Sequence, residues 1–324
     1  MPDMAFRLQL RPSTLDDAER VAALQAQRDP DDLSDPVLLR YWWQMADELH
    51  KTSRQIATHD GEAVAFVASQ HELWEPDGKR FGVVRALLRN DQWDADQYAE
   101  LVGVGERWLR GENATTSVVR IRADFERDVK ALERIGYSED RRMRTSELDL
   151  VARREEILRT RDECRAEMRR QAIEMHPLSD DTDPGRLQKL YELIVESEQD
   201  IPRSVPWRVL SFPEWKRFWL DNPGIQESRF WIARDGDEIV ATSVLDCPVT
   251  KGIPWTAYTG TRRAARGRGI ARALKYESMA QAIGDGYTRV RTNNDADNPS
   301  ILKINNQMGY RLVTPIIELH RPLS

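Results

Sequence analysis

Cysteine is nearly absent from this sequence. The two present in 324 residues, Cys164 and Cys247, cannot build a disulfide framework. The five histidines show no metal-ligand spacing, so no metal site is expected. No apolar run approaches the roughly 20 residues of a membrane helix, and no membrane span is expected. The opening residues MPDMAFRLQLRPS lack the basic start, apolar stretch and cleavage site of a secretory leader, which points to a cytoplasmic protein. An excess of cations is missing too. Lys and Arg number 48 against 54 Asp and Glu, a net charge of −6, which argues against a general nucleic-acid binder.

What is present is a repeat. His59-Asp60-Gly61-Glu62-Ala63-Val64-Ala65 returns as Arg234-Asp235-Gly236-Asp237-Glu238-Ile239-Val240-Ala241, each a strand, an Asp-Gly turn and a second strand. Leu132-Glu133-Arg134-Ile135-Gly136-Tyr137 likewise returns as Ile304-Asn305-Asn306-Gln307-Met308-Gly309-Tyr310, a helix ending at glycine before an aromatic residue that opens a strand. The offsets agree, since 235 less 60 gives 175 and 309 less 136 gives 173. A duplicated domain follows, with residues 1–150 and 172–324 as the two copies. Between them the charge-dense residues 151–171 carry Ile157, Cys164, Met168 and Ala172 at near-helical spacing, which predicts a connecting helix.

The second copy reads as strand (from Ile173), helix (Pro184–Glu198), a proline loop, helix (Pro213–Leu220), hairpin (Phe230–Asp246) and strand (Trp255–Thr261). Helix (Gly269–Asp285), strand (Thr288–Asn293), helix (Pro299–Met308) and a final strand pair (Tyr310–Leu323) complete it. Antiparallel strands first and strand–helix alternation later predict an α/β (α+β) class, with a mixed, mostly antiparallel twisted sheet and flanking helices in each copy.

The chemistry concentrates where Tyr258-Thr259-Gly260-Thr261 ends a strand and Arg266-Gly267-Arg268-Gly269-Ile270-Ala271 opens a helix. Two glycines can turn successive N–H groups into one concavity, and a helix N-terminus favours an anion, so a pyrophosphate fits. The segment is neither a Walker loop nor the GxGxxG of dinucleotide folds. It resembles the (Arg/Gln)-x-x-Gly-x-(Gly/Ala) signature of the GCN5-related N-acetyltransferases, the GNAT family. Asn298 through Tyr310 is similar to that family's later asparagine-rich helix ending in Gly-aromatic. The likeness covers 172–324 well and 6–150 in outline.

The resemblance implies acetyl-CoA, or another acyl-CoA, as co-substrate, its pantetheine arm lying in a gap between strands Trp255–Thr261 and Thr288–Asn293. Backbone at Thr259 and Thr261 would hold the pantetheine amides, Arg266 through Ala271 would hold the pyrophosphate, and Asn298 would line the thioester end, with Gly260 and Asn293 also among the cofactor-binding residues. The acceptor would be a primary amine, most simply of a small molecule, attacking the thioester directly. That agrees with a chain that has no convincing Ser-His-Asp or Cys-His arrangement. Many members place a tyrosine acid four residues before the Gly-aromatic pair. Here that position is Asn305, which cannot supply a proton.

Tyr258, Tyr276 and Tyr310 are alternative acids, and Glu198, Asp200 and Asp246 are the candidate bases or cation binders. Ile201, Pro202, Val205, Pro206 and Trp207 would wall the acceptor pocket. Asn305 also leaves room for an acyl-CoA sensor or scaffold without catalysis. In the first copy the matching stretch, Leu88 to Asp96, has no glycine and holds Asp91, Asp94 and Asp96. Like charge repels a pyrophosphate, so this copy is expected to bind no CoA and to pack against the second, closing one side of the acceptor pocket.

Overall fold

A computed structural model describes the chain apart from residues 1–7, 31–33, 74–77, 203–204, 206–207, 296–297 and 324. Pro206 and Trp207, expected in the acceptor wall, lie outside the described residues. The first half runs β1 (Arg11–Pro12), α1 (Ala18–Arg28), α2 (Pro36–Leu49), β2 (His50–His59), β3 (Glu62–Glu72), β4 (Phe81–Leu88), α3 (Ala95–Gly111), β5 (Thr116–Arg122), α4 (Glu126–Arg134) and β6 (Ser138–Asp149). Helix α5 (Arg154–Arg170) leads into β7 (Ile173–Pro177), α6 (Arg186–Glu198), α7 (Phe212–Leu220), β8 (Phe230–Asp235), β9 (Glu238–Asp246) and β10 (Trp255–Thr261). Then come α8 (Ile270–Gly284), β11 (Arg289–Asp295), α9 (Pro299–Met308), β12 (Arg311–Leu312) and β13 (Ile316–Pro322).

The two halves repeat one order of elements, as the internal repeat implies. The glycines that close α4 and α9 both take left-handed backbone, Gly136 at φ +98° and Gly309 at φ +87°. The aromatic after each, Tyr137 and Tyr310, is buried. Helix α5 buries Ile157, Cys164 and Met168 as expected, with Thr160 completing the stripe. Ala172 departs from that expectation: it is exposed, and its left-handed φ of +56° ends the helix before β7.

Sheet topology was less legible. The strands form one continuous sheet in the order β1-β2-β3-β4-β5-β13-β6-β11-β10-β9-β8-β7, with β12 beside β6. The final two strands do not pair with each other. Strand β13 enters the first half, between β5 (Ile317 opposite Ile121) and β6 (Ile317 opposite Arg142). Strand β6 in turn pairs with β11 from Asp149–Arg289 to Met143–Asp295. Each half therefore completes the other's sheet, an exchange that local hydrophobic patterning does not encode because either partner satisfies the same alternation.

Helices cover both faces. In the first half α1 and α2 pack on one face around Ala22, Trp43 and Phe66, while α3 and α4 pack on the other around Val102, Leu132 and Val119. In the second half α6 and α7 bury Leu190, Trp215 and Phe230, and α5 and α8 bury Met168, Leu274 and Val290 opposite them.

Candidate acyl-transfer site

Among the described residues only two neighbouring strand pairs run parallel, β4 with β5 and β10 with β11, and the sheet opens at both. Strands β10 and β11 share a single register pair, Trp255 opposite Arg291, with Arg291 N–H donating to Pro254 O at 2.9 Å. Beyond it they part. A bulge between Thr256 and Tyr258 sets off Ala257, which lines a cavity of about 900 Å³ together with Tyr258, Asn293 and Asn294. Gly260 is needed where it stands: a Cβ there would come within 2.7 Å of Ser197 Oγ and of the Tyr258 ring. The Tyr258 hydroxyl is itself 2.7 Å from Ser197 Oγ, which ties β10 to the end of α6. Thr259 Oγ1 lies 3.2 Å from Ser243 Oγ, and Thr261 Oγ1 is buried without a partner.

At the far end of β10 the chain turns into α8. Gly267 (φ +79°) and Gly269 (φ +81°) are both left-handed, and a Cβ on either would meet open space. Gly269 is the N-cap residue, so no side chain satisfies the first amides of the helix. The first bond onto the cap, Ala273 N–H to Gly269 O, comes three residues into the helix. Open space, uncapped amides and the positive end of the helix dipole make a ready anion cradle. Flanking charge is already organised. Arg268 pairs with Asp235 at 2.6 Å and with Gln171, while Arg263 and Arg266 both pair with Asp200. The cradle therefore offers backbone donors, while its arginines are held in place by carboxylates.

Of the proposed proton-handling residues, the structure gathers some and disperses others. Glu198, the last residue of α6, and Tyr258 line the cavity. Asp200 does not. Hydrogen bonds from Arg263 and then Arg266 hold its carboxyl well below the usual carboxylate range, so it is a weak base that positions the cradle. Asp246 lies apart as well, half-buried beside Asn222 and Gly224 with its carboxyl pushed up to about 6 by desolvation. Asn298 serves as N-cap of α9, its Oδ1 accepting from Ile301 N–H at 3.4 Å, and it is not among the cavity's lining residues.

Asn305 is buried, and its Nδ2 donates to Asn294 Oδ1 at 2.7 Å. The Oδ1 atoms of Asn305 and Asn293 are both buried without a partner, so the asparagine cluster under the cavity keeps unused acceptors. Tyr276 and Tyr310 pack in the core behind the sheet.

Lys275 was not foreseen. It is fully buried on α8, its Nζ has no hydrogen-bond partner, and it lies 5.1 Å from the centre of the Tyr310 ring. Burial pulls its pKa down to about 7. Nor did spacing reveal that Asp140, Glu318 and His320 converge within 4.8 Å. Glu318 there already accepts from Arg120 at 2.6 Å and lies 2.9 Å from His320 Nε2.

The first half has the same opening between β4 and β5, which pair only from Phe81–Thr116 to Val83–Val118. It is filled. Arg28, the last residue of α1, reaches through it, donating to Leu88 O at 3.1 Å and to Asp128 of α4 on the opposite face. Trp93 Nε1 holds the second Asp128 oxygen at 2.6 Å. Both charged side chains are at most 4% exposed. Where an arm would have to enter, a buried ion pair closes the gap.

The architecture is two splayed-sheet halves with one glycine cradle and one filled gap. Residues 187–310 match the acetyltransferase (GNAT) family, so the second half is a GNAT domain. The whole chain is similar to a GCN5-related N-acetyltransferase from Sphaerobacter thermophilus, at 19% identity over 99% of this chain and 97% of that one, with a TM-score of 0.68. It is also similar to a tandem GNAT protein from the clavulanic acid biosynthesis pathway, at 12% identity, 98% and 99% coverage and a TM-score of 0.74. A third structure, Saccharomyces cerevisiae N-myristoyltransferase with bound myristoyl-CoA, matches at 11% identity, 99% and 81% coverage and a TM-score of 0.62. At such identities the likeness is one of fold. No curated protein matches the sequence. The fold is one that supports acyl transfer from CoA. No described helix is long and apolar enough to cross a membrane.

Proposed function

We propose that the second half binds acetyl-CoA, or another short acyl-CoA, and transfers the acyl group to the primary amine of a small molecule by direct attack. The observation that carries this reading is the pairing of an open β10/β11 gap with the uncapped, glycine-turned start of α8. In it the pyrophosphate rests on the amides of residues 266–271 and the arm fills the gap beside Thr259–Thr261. The thioester then lies over Asn293, Asn294 and Asn305, and the unused acceptors of Asn293 and Asn305 suit the amides of the arm. CoA itself supplies the activated thioester, and every other step belongs to the chain.

An amine must be neutral to attack, and amines are protonated at neutral pH. Glu198 is the candidate carboxylate that lines the cavity, so it receives the amine's proton or pairs with its ammonium form. Tyr258 stands beside it through Ser197. A thiolate is a good enough leaving group to depart without a dedicated acid, which suits Asn305 in the position where a tyrosine would donate. The first half is the far wall of the acceptor cavity, to which β3, β4 and β5 all contribute.

The test is release of free CoA thiol from acetyl-CoA across a panel of polyamines, amino sugars, amino acids and aromatic amines. Thiol release with one class, and acetylated product by mass, is the expected result. Asn305 favours one other reading, a CoA sensor. Tight acetyl-CoA binding with no thiol release for any amine would establish it instead.

A further inference from the structure

No step of the proposed transfer uses Lys275, the fully buried lysine of α8. An ammonium group away from water needs a partner. Among the described residues its Nζ has neither a hydrogen bond nor a counter-charge. The Tyr310 ring, with its centre 5.1 Å away, is a weak substitute for an anion.

The position of Lys275 on the helix relates it to the cofactor. Residues four apart share one face of a helix, so Ala271, Lys275 and Met279 form a stripe on α8. Ala271 belongs to the glycine cradle, and Lys275 follows it one turn later, about 6 Å along the axis. Met279 Sδ meets the Tyr310 hydroxyl at 3.5 Å, and the same hydroxyl lies 3.5 Å from Thr256 Oγ1. Thr256 directly precedes Ala257, the bulge residue at which β10 leaves β11. The stripe therefore runs from the cradle toward the opening between the strands. Tyr310 N–H also donates to Asn305 O at 3.0 Å, which joins the ring beside Lys275 to the residue that stands where an acid would.

Other buried groups around the opening are orphaned in the same way. Thr261 of β10, Asn293 of β11 and Asn305 of α9 each keep a buried side-chain oxygen without a partner. Those neutral groups suit the neutral amides of a CoA arm. Lys275 alone of the four carries charge, and a charged donor is best answered by an anion. An acyl-CoA has no anion between its phosphates and its thioester. Anions arise there only during transfer, first on the carbonyl oxygen and then on sulfur. The oxygen can take the amide of Ala257, which the bulge leaves out of the ladder. The sulfur has no such donor and is matched by the orphaned cation.

Resting on the acyl-transfer reading, we propose that the ammonium of Lys275 is the counter-ion of the CoA thiolate as it leaves. Lys275 is not among the residues lining the cavity, so the acceptor and the lysine stand on opposite sides of the arm. The amine nitrogen attacks the thioester carbon from the cavity side, and its surplus proton goes to Glu198. The carbon–sulfur bond breaks with its electron pair on sulfur, which pairs with Nζ and takes a proton from water as CoA departs. Burial alone lowers the pKa of Lys275 to about 7, and an anion beside it raises it again.

Bound CoA tests this without any acceptor. A thiolate absorbs in the ultraviolet where a thiol does not, so the pH midpoint of bound CoA is read as a difference spectrum against bound acetyl-CoA. In the unaltered protein the midpoint should lie about one pH unit below that of free CoA, a tenfold gain in acidity. In Lys275→Met and Lys275→Gln it should return to the free value or above it, with the acetyl-CoA Kd unchanged. A midpoint in the unaltered protein at or above that of free CoA overturns the assignment, whether or not the variants fold. Equal loss of CoA and acetyl-CoA affinity in the variants, with no change of midpoint, also overturns it, because Lys275 then holds the arm and not the sulfur. Both of those outcomes leave the acyl-transfer reading intact. Failure of the unaltered protein to bind either CoA or acetyl-CoA removes that reading and the role of Lys275 with it.

Discussion

Helices α3 and α8 occupy equivalent places in the two halves, and their first turns differ in whether a side chain caps them. Helix α3 begins at an aspartate. Asp94 Oδ1 accepts from Asp96 N–H and Gln97 N–H at 2.9 and 3.0 Å, so the first amides are satisfied from within. Helix α8 begins at Gly269, which can cap nothing, and its amides are left for an anion. The gaps beneath differ in the same sense. Arg28 and Asp128 fill one, while the other opens onto the asparagine cluster and the cavity. The end of the first helix of each half even changes sign, from Arg28 on α1 to Glu198 on α6, and both residues line the cavity. One repeated fold thus yields one helix start closed by its own aspartate and one that no side chain caps.

The sharpest way to break this contrast is to give α8 the start of α3. Gly269→Asp places a carboxylate where the pyrophosphate would rest, and places a side chain at φ +81°, a conformation that disfavours anything but glycine. Acetyl-CoA binding by calorimetry should fall at least a hundredfold, about 2.7 kcal/mol, in protein that keeps its circular dichroism spectrum. An unchanged Kd would mean that the cradle does not hold the cofactor.

The plug comes next. Removing one member of a buried pair leaves the other charge without compensation, which costs about 3–5 kcal/mol. Arg28→Ala should lower stability in denaturant titrations toward the lower end of that range, since Asp128 keeps Trp93 and only the looser Arg127 contact at 3.7 Å. The acetyl-CoA Kd should not move. Tighter or additional CoA binding would show that the first half is a blocked site and not a lost one.

These features were unequally visible in the sequence. Both glycine-ended helices, the strand limits Trp255–Thr261 and the cradle follow from local chemistry: turn residues, periodicity and a helix start. Three aspartates marked the first half as unsuited to phosphate, and Asp94 proves to be a cap. Contacts distant in sequence carried no such signal. Arg28 and Asp128 stand 100 residues apart. The exchange of β6 and β13 depends on which edge a strand finds, and Glu72 and Glu198 border one chamber from different halves. Asp200 and Asp246 looked equivalent to Glu198 as acids following helix or hairpin. Only their surroundings, two arginines in one case and a buried asparagine in the other, tell them apart.

Buried charge next to the two closing tyrosines extends the comparison. In the first half Glu106 of α3 is buried near Tyr137 and is answered by Arg321 through bonds of 2.9 and 3.0 Å. In the second, Lys275 of α8 lies over Tyr310 with no counter-charge among the described residues. Its folded pKa of about 7 lies below the ordinary 10.5, so between those values the unfolded chain binds more protons. Stability should therefore rise with pH across that window, and the cost of Lys275 is fully present below it. Lys275→Met removes the charge at similar volume. The thermal midpoint should rise by several degrees at pH 7 or below, with the gain shrinking toward pH 10.5. A midpoint that falls instead would show that Lys275 is held by interactions that burial alone does not reveal.

The smallest effect comes from the converse of the first substitution. Asp94→Ala removes the cap from α3 and exposes its first amides, which should cost about 1 kcal/mol, read as a shift in the denaturant midpoint. It should not create a second CoA site. Uncapped amides are not enough, because the gap beneath α3 stays closed by Arg28 and Asp128. Calorimetry on the variant should still count one acetyl-CoA per chain. A stoichiometry of two would mean that the aspartate cap alone keeps the first half from binding, and that the ion pair beneath it can open for the cofactor arm. One site in Asp94→Ala, followed by a second only when Arg28→Ala is added, would instead rank the plug above the cap as the barrier that distinguishes the halves.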